Sequence, residues 1–162
     1  MNVKGVRAKQ PDISLNVRSV INDLVAGGRL SSEDAEKISM KSRAKHQLNW
    51  HPLELIAEEE PVDQKNPGKI LDLETLTLWL CEHSKQTYKR IDPLKIDSSV
   101  VTRLMSAEFA KRHGVLPLAV LEDEIVVASA EPFVSGWEAT ILQSQPGKLL
   151  TRVIANPADI RR

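Results

Sequence analysis

The sequence lacks the loop that proteins most often use to hold nucleotide phosphates. No G-x-x-x-x-G-K-[ST] pattern occurs in the 162 residues, so the backbone N–H groups that cradle ATP phosphates in that motif have no counterpart. Gly27-Gly28 and Gly147-Lys148 are isolated and are typical of turns. The sequence therefore predicts a chain that is not itself an enzyme.

Cysteine and histidine, the usual zinc ligands, have no ligand-like spacing here. Cys81 and His83 are two residues apart on a predicted helix and would point to different faces. His46, His51 and His113 are scattered along the chain. The serines are explained by predicted helix N-caps rather than by a neighbouring base. We therefore expect no catalytic residue, no metal and no bound cofactor in this chain.

Composition and charge indicate a globular protein. Hydrophobic residues make up 41% and charged residues 27%, and 22 basic residues balance 22 acidic ones. A nucleic-acid-binding chain would show a basic excess, so nucleic acid is not an expected partner. A lone cysteine makes no internal disulfide, and no apolar run approaches the ~20 residues that span a bilayer. These features favour a cytoplasmic location.

Apolar periodicity predicts helices in the first half of the chain. Residues 1–12 are polar, basic and aperiodic, and are predicted to be a disordered lead-in. Residues 13–86 are predicted to form two helical hairpins, with an acidic loop at Glu58–Gly68 inside the second. The helices are expected from Ser14 to Gly27, from Ser31 to about Lys45, from His51 to Glu59 and from Asp72 to Lys85.

The second half, residues 87–162, predicts a small α/β sandwich with helices on one face of a sheet, which makes the whole chain α+β. The order is strand, helix, helix, strand, strand, helix, strand. These elements are expected at Thr87–Ile91, Asp97–Met105, Ser106–Gly114, Val115–Leu121, Ile125–Ser129, Phe133–Gln145 and Leu149–Ala155. Asn156-Pro157 is typical of a further helix start, so the parent protein is expected to continue.

Four segments in this half carry a family resemblance. They are Tyr88–Asp97 (YKRIDPLKID), Ala110–Leu118 (AKRHGVLPL), Ile125–Pro132 (IVVASAEP) and Asn156–Ile160 (NPADI). In this order and spacing they resemble the N-terminal region of bacterial type II secretion and type IV pilus assembly ATPases. The resemblance covers roughly residues 71–162.

The resemblance implies a non-catalytic interaction module. In that family the region precedes the catalytic core and docks the motor to an inner-membrane platform protein. ATP and Mg²⁺ would then belong to an ATPase core of the same chain. The module would be cytoplasmic and held at the bacterial inner membrane through its partner.

A related subgroup of these ATPases implies a second function, the binding of cyclic di-GMP by tandem helical hairpins. The hairpin of that subgroup begins Arg-Leu-Gly. Ser19, Val20 and Ile21 occupy the corresponding positions here, and the second copy has His51-Pro52-Leu53. Binding through that motif is therefore not expected, and cyclic di-GMP remains the alternative partner.

The three tryptophans differ in their surroundings. Trp79 lies on a Leu-rich stripe and Trp137 on an amphipathic helix, so both are predicted to be core residues. Trp50 stands beside His51 at a helix entrance and is the best candidate for an exposed aromatic. Exposed tryptophan is typical of interfaces, although a hydrophobic staple would also explain it.

The acidic run Glu58-Glu59-Glu60 completes the predicted partner interface. Such runs are usually solvated loops, and a functional one would bind a basic partner. We predict an interface formed by Trp50, His51, Glu58, Glu59 and Glu60.

Overall fold

The computed structural model describes residues 11–45 and 50–161, which divide into two compact units. The helical unit comprises Leu15–Leu80, and the sheet unit combines the chain from Cys81 onward with the residues before Leu15. Residues 1–10 of the predicted lead-in lie outside the described residues.

The helical unit contains the helices that periodicity predicts. They are α1 (Val17–Ala26), α2 (Ser32–Lys45), α3 (Pro52–Glu58) and α4 (Leu73–Ser84), the last of which begins in this unit. The Asn16 side chain caps α1 by accepting from the Ser19 N–H at 2.8 Å. After α1, Gly28 takes φ 72°, a left-handed conformation that costs glycine little. The unit's core is mostly aliphatic and includes Leu24, Leu30, Ile38, Leu53, Ile56 and Leu76.

The sheet unit has a three-stranded sheet in the order β1-β2-β3. β1 (Val115–Val120) runs antiparallel to β2 (Glu124–Ser129), which runs parallel to β3 (Leu149–Ile154). Its helices are α5 (Ser98–Leu104), α6 (Ala107–His113), α7 (Glu138–Ser144) and α8 (Pro157–Arg161), and a 3-10 turn covers Pro93–Lys95. The pairing of β1 shifts register between Pro117 and Ala119, which marks a β-bulge.

Two predicted elements of this unit are wrong in extent. The expected first strand, Thr87–Ile91, is reduced to an isolated bridge between Tyr88 and Ile154. The chain then turns away because Ile91 is buried in the core and a proline-containing 3-10 turn follows. The expected helix at Phe133–Gln145 begins only at Glu138, because turns around Gly136 precede it.

Both faces of the sheet carry apolar residues. The helix-covered face packs against α5, α6 and α7, so these three predicted helices share one face, whereas α8 packs on the other. Its buried members are Leu104, Met105, Val115, Ile125, Val127, Trp137 and Ile141. The second face has a smaller cluster of Ile91, Ala128, Val153 and Ala155, with Ile160 of α8 packed against it. Trp137 and, in α4, Trp79 are buried, which confirms that both are core residues.

Arg152 of β3 connects the sheet to the segment before α7. Its Nη1 donates to Glu138 Oε1 at 2.8 Å and its Nη2 donates to the Glu131 carbonyl at 3.0 Å. The guanidinium carbon lies 5.1 Å from the centroid of the Trp137 ring. The planar guanidinium of Arg152 therefore connects β3 to α7 and to the segment that precedes α7.

Asp12 ties the N-terminal segment to the same region. Its carboxylate accepts from the Ser135 and Gly136 N–H groups at 2.9 Å each, and the Ile13 N–H donates to the Phe133 carbonyl at 3.1 Å. The hydrogen bond from the Ser135 N–H is the largest cause that lowers the pKa of Asp12 below its ordinary value. Asp12, the last residue of the predicted disordered lead-in, is therefore held in place by hydrogen bonds.

Replacing Arg152 with lysine tests this connection. Lysine keeps the charge but loses the planar stacking and the divergent donors, so the free energy of unfolding should fall by about 1.5 kcal/mol. Urea denaturation of the full chain measures the change. Arg103→Lys, at an exposed position of α5, should change it by less than about 0.5 kcal/mol. Equal effects of the two substitutions would contradict this role.

Candidate interaction site

The entrance to α3 fixes the backbone at Trp50. His51 Nδ1 accepts from the Leu53 N–H at 3.1 Å, and Glu54 Oε1 accepts from the His51 N–H at 3.3 Å. This is a capping box, with Pro52 in the first turn. Trp50 is 38% exposed. His51 is thus used as a cap, and its neighbour Trp50 presents an aromatic surface from a constrained position.

The three glutamates of the acidic run have different surroundings in the structure. Glu58 and Glu60 are exposed, whereas Glu59 Oε1 lies 2.7 Å from Lys41 Nζ of α2 with its side chain only 15% exposed. Glu60 has φ 49°, a left-handed conformation that turns the chain out of α3. The predicted interface residues therefore lie at the two ends of one short helix, and Glu59 links that helix to α2.

The predicted loop after the acidic run has an ordered structure that the sequence did not reveal. We call residues 61–71 the Asp63 loop. The Asp63 carboxylate receives Arg29 Nε at 3.0 Å and Arg29 Nη2 at 2.9 Å, a two-point ion pair. It also accepts from the Lys65 N–H and from Asn66 Nδ2. Asp63 is 2% exposed, so this loop is anchored by a buried and fully hydrogen-bonded carboxylate.

Arg29 also alters the acidity of Asp63. Hydrogen bonding from the guanidinium is the largest cause that lowers the pKa of Asp63 to about 2, and Asn66 and the Lys65 N–H lower it further against desolvation. Asp63 is therefore ionised throughout the ordinary pH range.

The Asp63 loop closes on itself and presents two apolar side chains. Val62 and Ile70 form an antiparallel bridge, and the Leu71 N–H donates to the Pro61 carbonyl at 2.8 Å. Directly opposed residues place their side chains next to each other. Val62 is 45% and Ile70 41% exposed, so a rigid loop displays a small apolar pair.

An open cavity of about 560 Å³ lies beside this loop. Its lining is mostly polar and includes Arg29, Asp63, Asn66, Gly68, Lys69, Ile70, Asp72 and Thr75. Lys69 and Asp72 are exposed, whereas the Arg29 charge is satisfied by Asp63. A lysine at such a site could bind a phosphate, and carboxylate and amide groups could form hydrogen bonds with the edge of a nucleotide base.

Neither metal-ligand clusters nor membrane-spanning helices are found in the described ranges. Residues 11–45 and 50–161 contain no group of three or more His, Cys, Asp or Glu side chains that could hold a metal ion. Within the same ranges no helix is both long and apolar enough to cross a membrane. His46, weighed above as a ligand, lies outside the described residues.

Comparison with known proteins identifies the class of the sheet unit. Residues 86–162 match the model of the MshEN domain family. The chain is 34% identical over 142 residues to the type IV pilus assembly ATPase TfpB of Acinetobacter baylyi. That match covers 88% of this chain and 24% of TfpB, so the chain spans about a quarter of the relative's length.

One solved structure shares the fold at low sequence identity. A structure of MshE with cdg superposes with a TM-score of 0.54 at 16% identity, covering 90% of this chain and 94% of that chain. The N-terminal domain of XpsE gives a TM-score of 0.49 at 15% identity, covering 94% of this chain and 93% of that chain. The resemblance to type IV pilus assembly ATPases is confirmed by the match to TfpB, and the α+β fold is confirmed by the MshE structure.

Asp63→Asn should destabilise the chain in a pH-dependent manner. At neutral pH the free energy of unfolding should fall by about 2 kcal/mol, because the folded-state pKa lies below the ordinary value. As the pH drops from the ordinary pKa of 3.8 towards about 2, wild-type Asp63 takes up a proton and the difference should shrink. Chemical denaturation over this range measures both variants. Asp123→Asn, at an exposed position, is the control and should change the free energy of unfolding at neutral pH by less than about 0.5 kcal/mol. A pH-independent Asp63→Asn effect would contradict the ion pair.

Proposed function

We propose that this chain is the non-catalytic interaction module of a secretion or pilus-assembly ATPase, and that it docks the motor to an inner-membrane platform protein. Support comes from the MshEN domain at residues 86–162 and from the pilus ATPase relative. The sequence contains no phosphate loop, so ATP, Mg²⁺ and their hydrolysis would belong to an ATPase core in the same parent chain. The platform contact would hold the module at the cytoplasmic side of the inner membrane.

The exposed Trp50 is the observation that carries the docking proposal. A large aromatic costs little side-chain entropy when it is ordered at an interface, and its backbone is already fixed here by the His51 capping box. Glu58 and Glu60 are exposed at the far end of the same helix. A platform surface with an apolar pocket and nearby basic residues would complement both ends of α3.

Binding of this chain to the cytoplasmic part of the platform protein from the same genome tests the proposal. Trp50→Ala should weaken that binding at least about tenfold, because a hot-spot aromatic contributes about 2 kcal/mol. Met40→Ala, on an exposed methionine of α2, is the matched control and should leave the affinity unchanged. Calorimetry or surface plasmon resonance provides the affinities.

Charge reversal separates the contribution of the acidic residues. Glu58→Lys with Glu60→Lys should lower the association rate and remove part of the salt dependence, since rim charges act mainly on encounter. Glu59 is left intact because its carboxylate holds Lys41. A platform protein that binds wild type, Trp50→Ala and the charge-reversed chain equally would contradict the proposed interface.

Cyclic di-GMP is the second candidate ligand, and the cavity beside the Asp63 loop favours it. MshE, which shares the fold, has been solved with cdg. The cavity offers Lys69 for a phosphate, and Asp72 and Asn66 for the polar edge of a guanine. The motif positions of the related subgroup are unsuited to such contacts, because Val20, Ile21 and Leu53 are buried in the core of the helical unit.

Titration calorimetry with cyclic di-GMP tests this candidate on the full chain. Binding at this cavity predicts that Lys69→Glu weakens the affinity at least about tenfold, whereas Lys65→Glu, on the same loop but outside the lining, changes it little. No heat at high micromolar nucleotide would exclude the candidate. Equal loss in both lysine variants would point to non-specific attraction of the phosphates.

A further inference from the structure

Among residues 11–45 and 50–161, the chain covers the second face of the sheet at one end. At the covered end Ala128 is 0% and Val153 7% exposed, because Ile91 and Ile160 of α8 pack against them. Strand alternation places Thr151 and Leu149 on the same face as Val153, farther along β3. Leu149 is 44% exposed, so the apolar face continues beyond its cover.

The β-bulge in β1 brings a second leucine to this end. Ala119 pairs with Val126 and Val120 pairs with Ile125, which belongs to the helix-covered face. Leu121 therefore falls on the second face, and its N–H donates to the Glu124 carbonyl at 2.7 Å. Leu121 is 50% exposed. We call Ala119, Leu121, Val126, Leu149 and Thr151 the open end of the second face.

An acidic turn borders the open end. Glu122 and Asp123 are exposed at the β1–β2 connection, and Glu124 Oε2 accepts from Thr151 Oγ1 at 2.7 Å. A depression of about 310 Å³ is lined by Leu121, Leu149 and the three acidic residues. Leucine side chains and carboxylates thus meet at one concave place, and Lys148 precedes Leu149 in the sequence.

We propose that the open end docks an amphipathic helix of a partner protein, with an apolar stripe on Leu121 and Leu149 and with Lys or Arg side chains on Glu122 and Asp123. This surface belongs to the sheet unit and does not depend on the contact proposed at Trp50. An amphipathic helix fits because small sheets of this kind bury their faces against helices, as the other face does against α7. Basic side chains fit because the border carries two exposed carboxylates.

A second copy of the chain fits this surface poorly. Two-fold pairing through the open end would place equivalent surfaces together, so that Glu122 and Asp123 of both copies would lie near one another. Like charges brought together at an interface oppose association. The charge of the border therefore favours a basic partner over self-association.

Binding of two synthetic helical peptides to the full chain tests the proposal. One peptide carries leucine on one face and lysine on the other, and its matched partner replaces every lysine with glutamate. The lysine peptide should bind, and binding should weaken with salt. It should also protect backbone amides of residues 119–126 and 149–151 in hydrogen-exchange measurements. The glutamate peptide should not bind.

Variants of the chain sharpen the test. Leu121→Ser with Leu149→Ser should weaken lysine-peptide binding at least about tenfold. Leu78→Ser, on a helical-unit leucine that is 46% exposed, is the matched control and should bind as wild type. Glu122→Lys with Asp123→Lys should reverse the preference, so that the glutamate peptide binds in place of the lysine peptide. Circular dichroism confirms that each variant is folded.

Three outcomes would overturn the proposal. They are equal binding of both peptides, amide protection confined to residues 15–80, and a wild-type dimer in solution that the double leucine variant dissociates. Trp50 belongs to the helical unit and the open end belongs to the sheet unit. The two proposals are therefore tested by separate variants, and one can fail while the other holds.

Discussion

The three-stranded sheet is apolar on both faces, and the surrounding chain is arranged by the need to bury them. Burial of apolar surface is the main stabilising term, at about 25 cal/mol per Å², and three short strands supply little area of their own. Helices α5 to α7 bury one face. The segment through Ile91 and α8 buries part of the other. Arg152 and Asp12 form hydrogen bonds with α7 and with the turns that precede it.

The helical unit solves a different problem with one buried ion pair. The Asp63 loop is long and polar, and such a loop would ordinarily be mobile. Arg29, placed just after the glycine turn of the first hairpin, supplies two donors to a carboxylate that is almost fully buried. This pair fixes the loop to the first hairpin and thereby gives the Val62–Ile70 pair and the adjacent cavity a defined shape. The shape of this candidate surface therefore depends on the Arg29–Asp63 ion pair.

Local patterns predicted the helices and strands well because each is specified within a few residues. Ser106 and His51 act as caps where the sequence predicted helix starts, whereas the first helix is capped by Asn16, two residues after the predicted start at Ser14. The strand predicted at Thr87–Ile91 was wrong because its pairing depended on how far β3 extends. The sequence identified an exposed Trp50, and whether that residue binds a partner stays a prediction.

The candidate surfaces that were missed depend on contacts between distant residues. Arg29 and Asp63 are 34 positions apart, and no local pattern connects them. The proline, asparagine and glycine between residues 61 and 68 indicated only that a loop was present. The open end of the second face was hidden for a related reason. Its two leucines come from β1 and β3, and the exposure of each depends on where α8 stops covering the sheet.

The β-bulge between Pro117 and Ala119 sets which side of the sheet each later residue of β1 occupies. An even alternation would carry Val120 to the second face and send Leu121 towards the helices. Because of the extra residue, Val120 faces the helices and Leu121 lies on the second face. The acidic turn of the hairpin therefore follows a leucine that points away from the helix-covered core. Proline and a bulge also make β1 a poor template for another strand. The single bulged residue thus has two consequences. It places a leucine and the acidic turn together on the second face, and it hinders the pairing of β1 with a strand of another molecule.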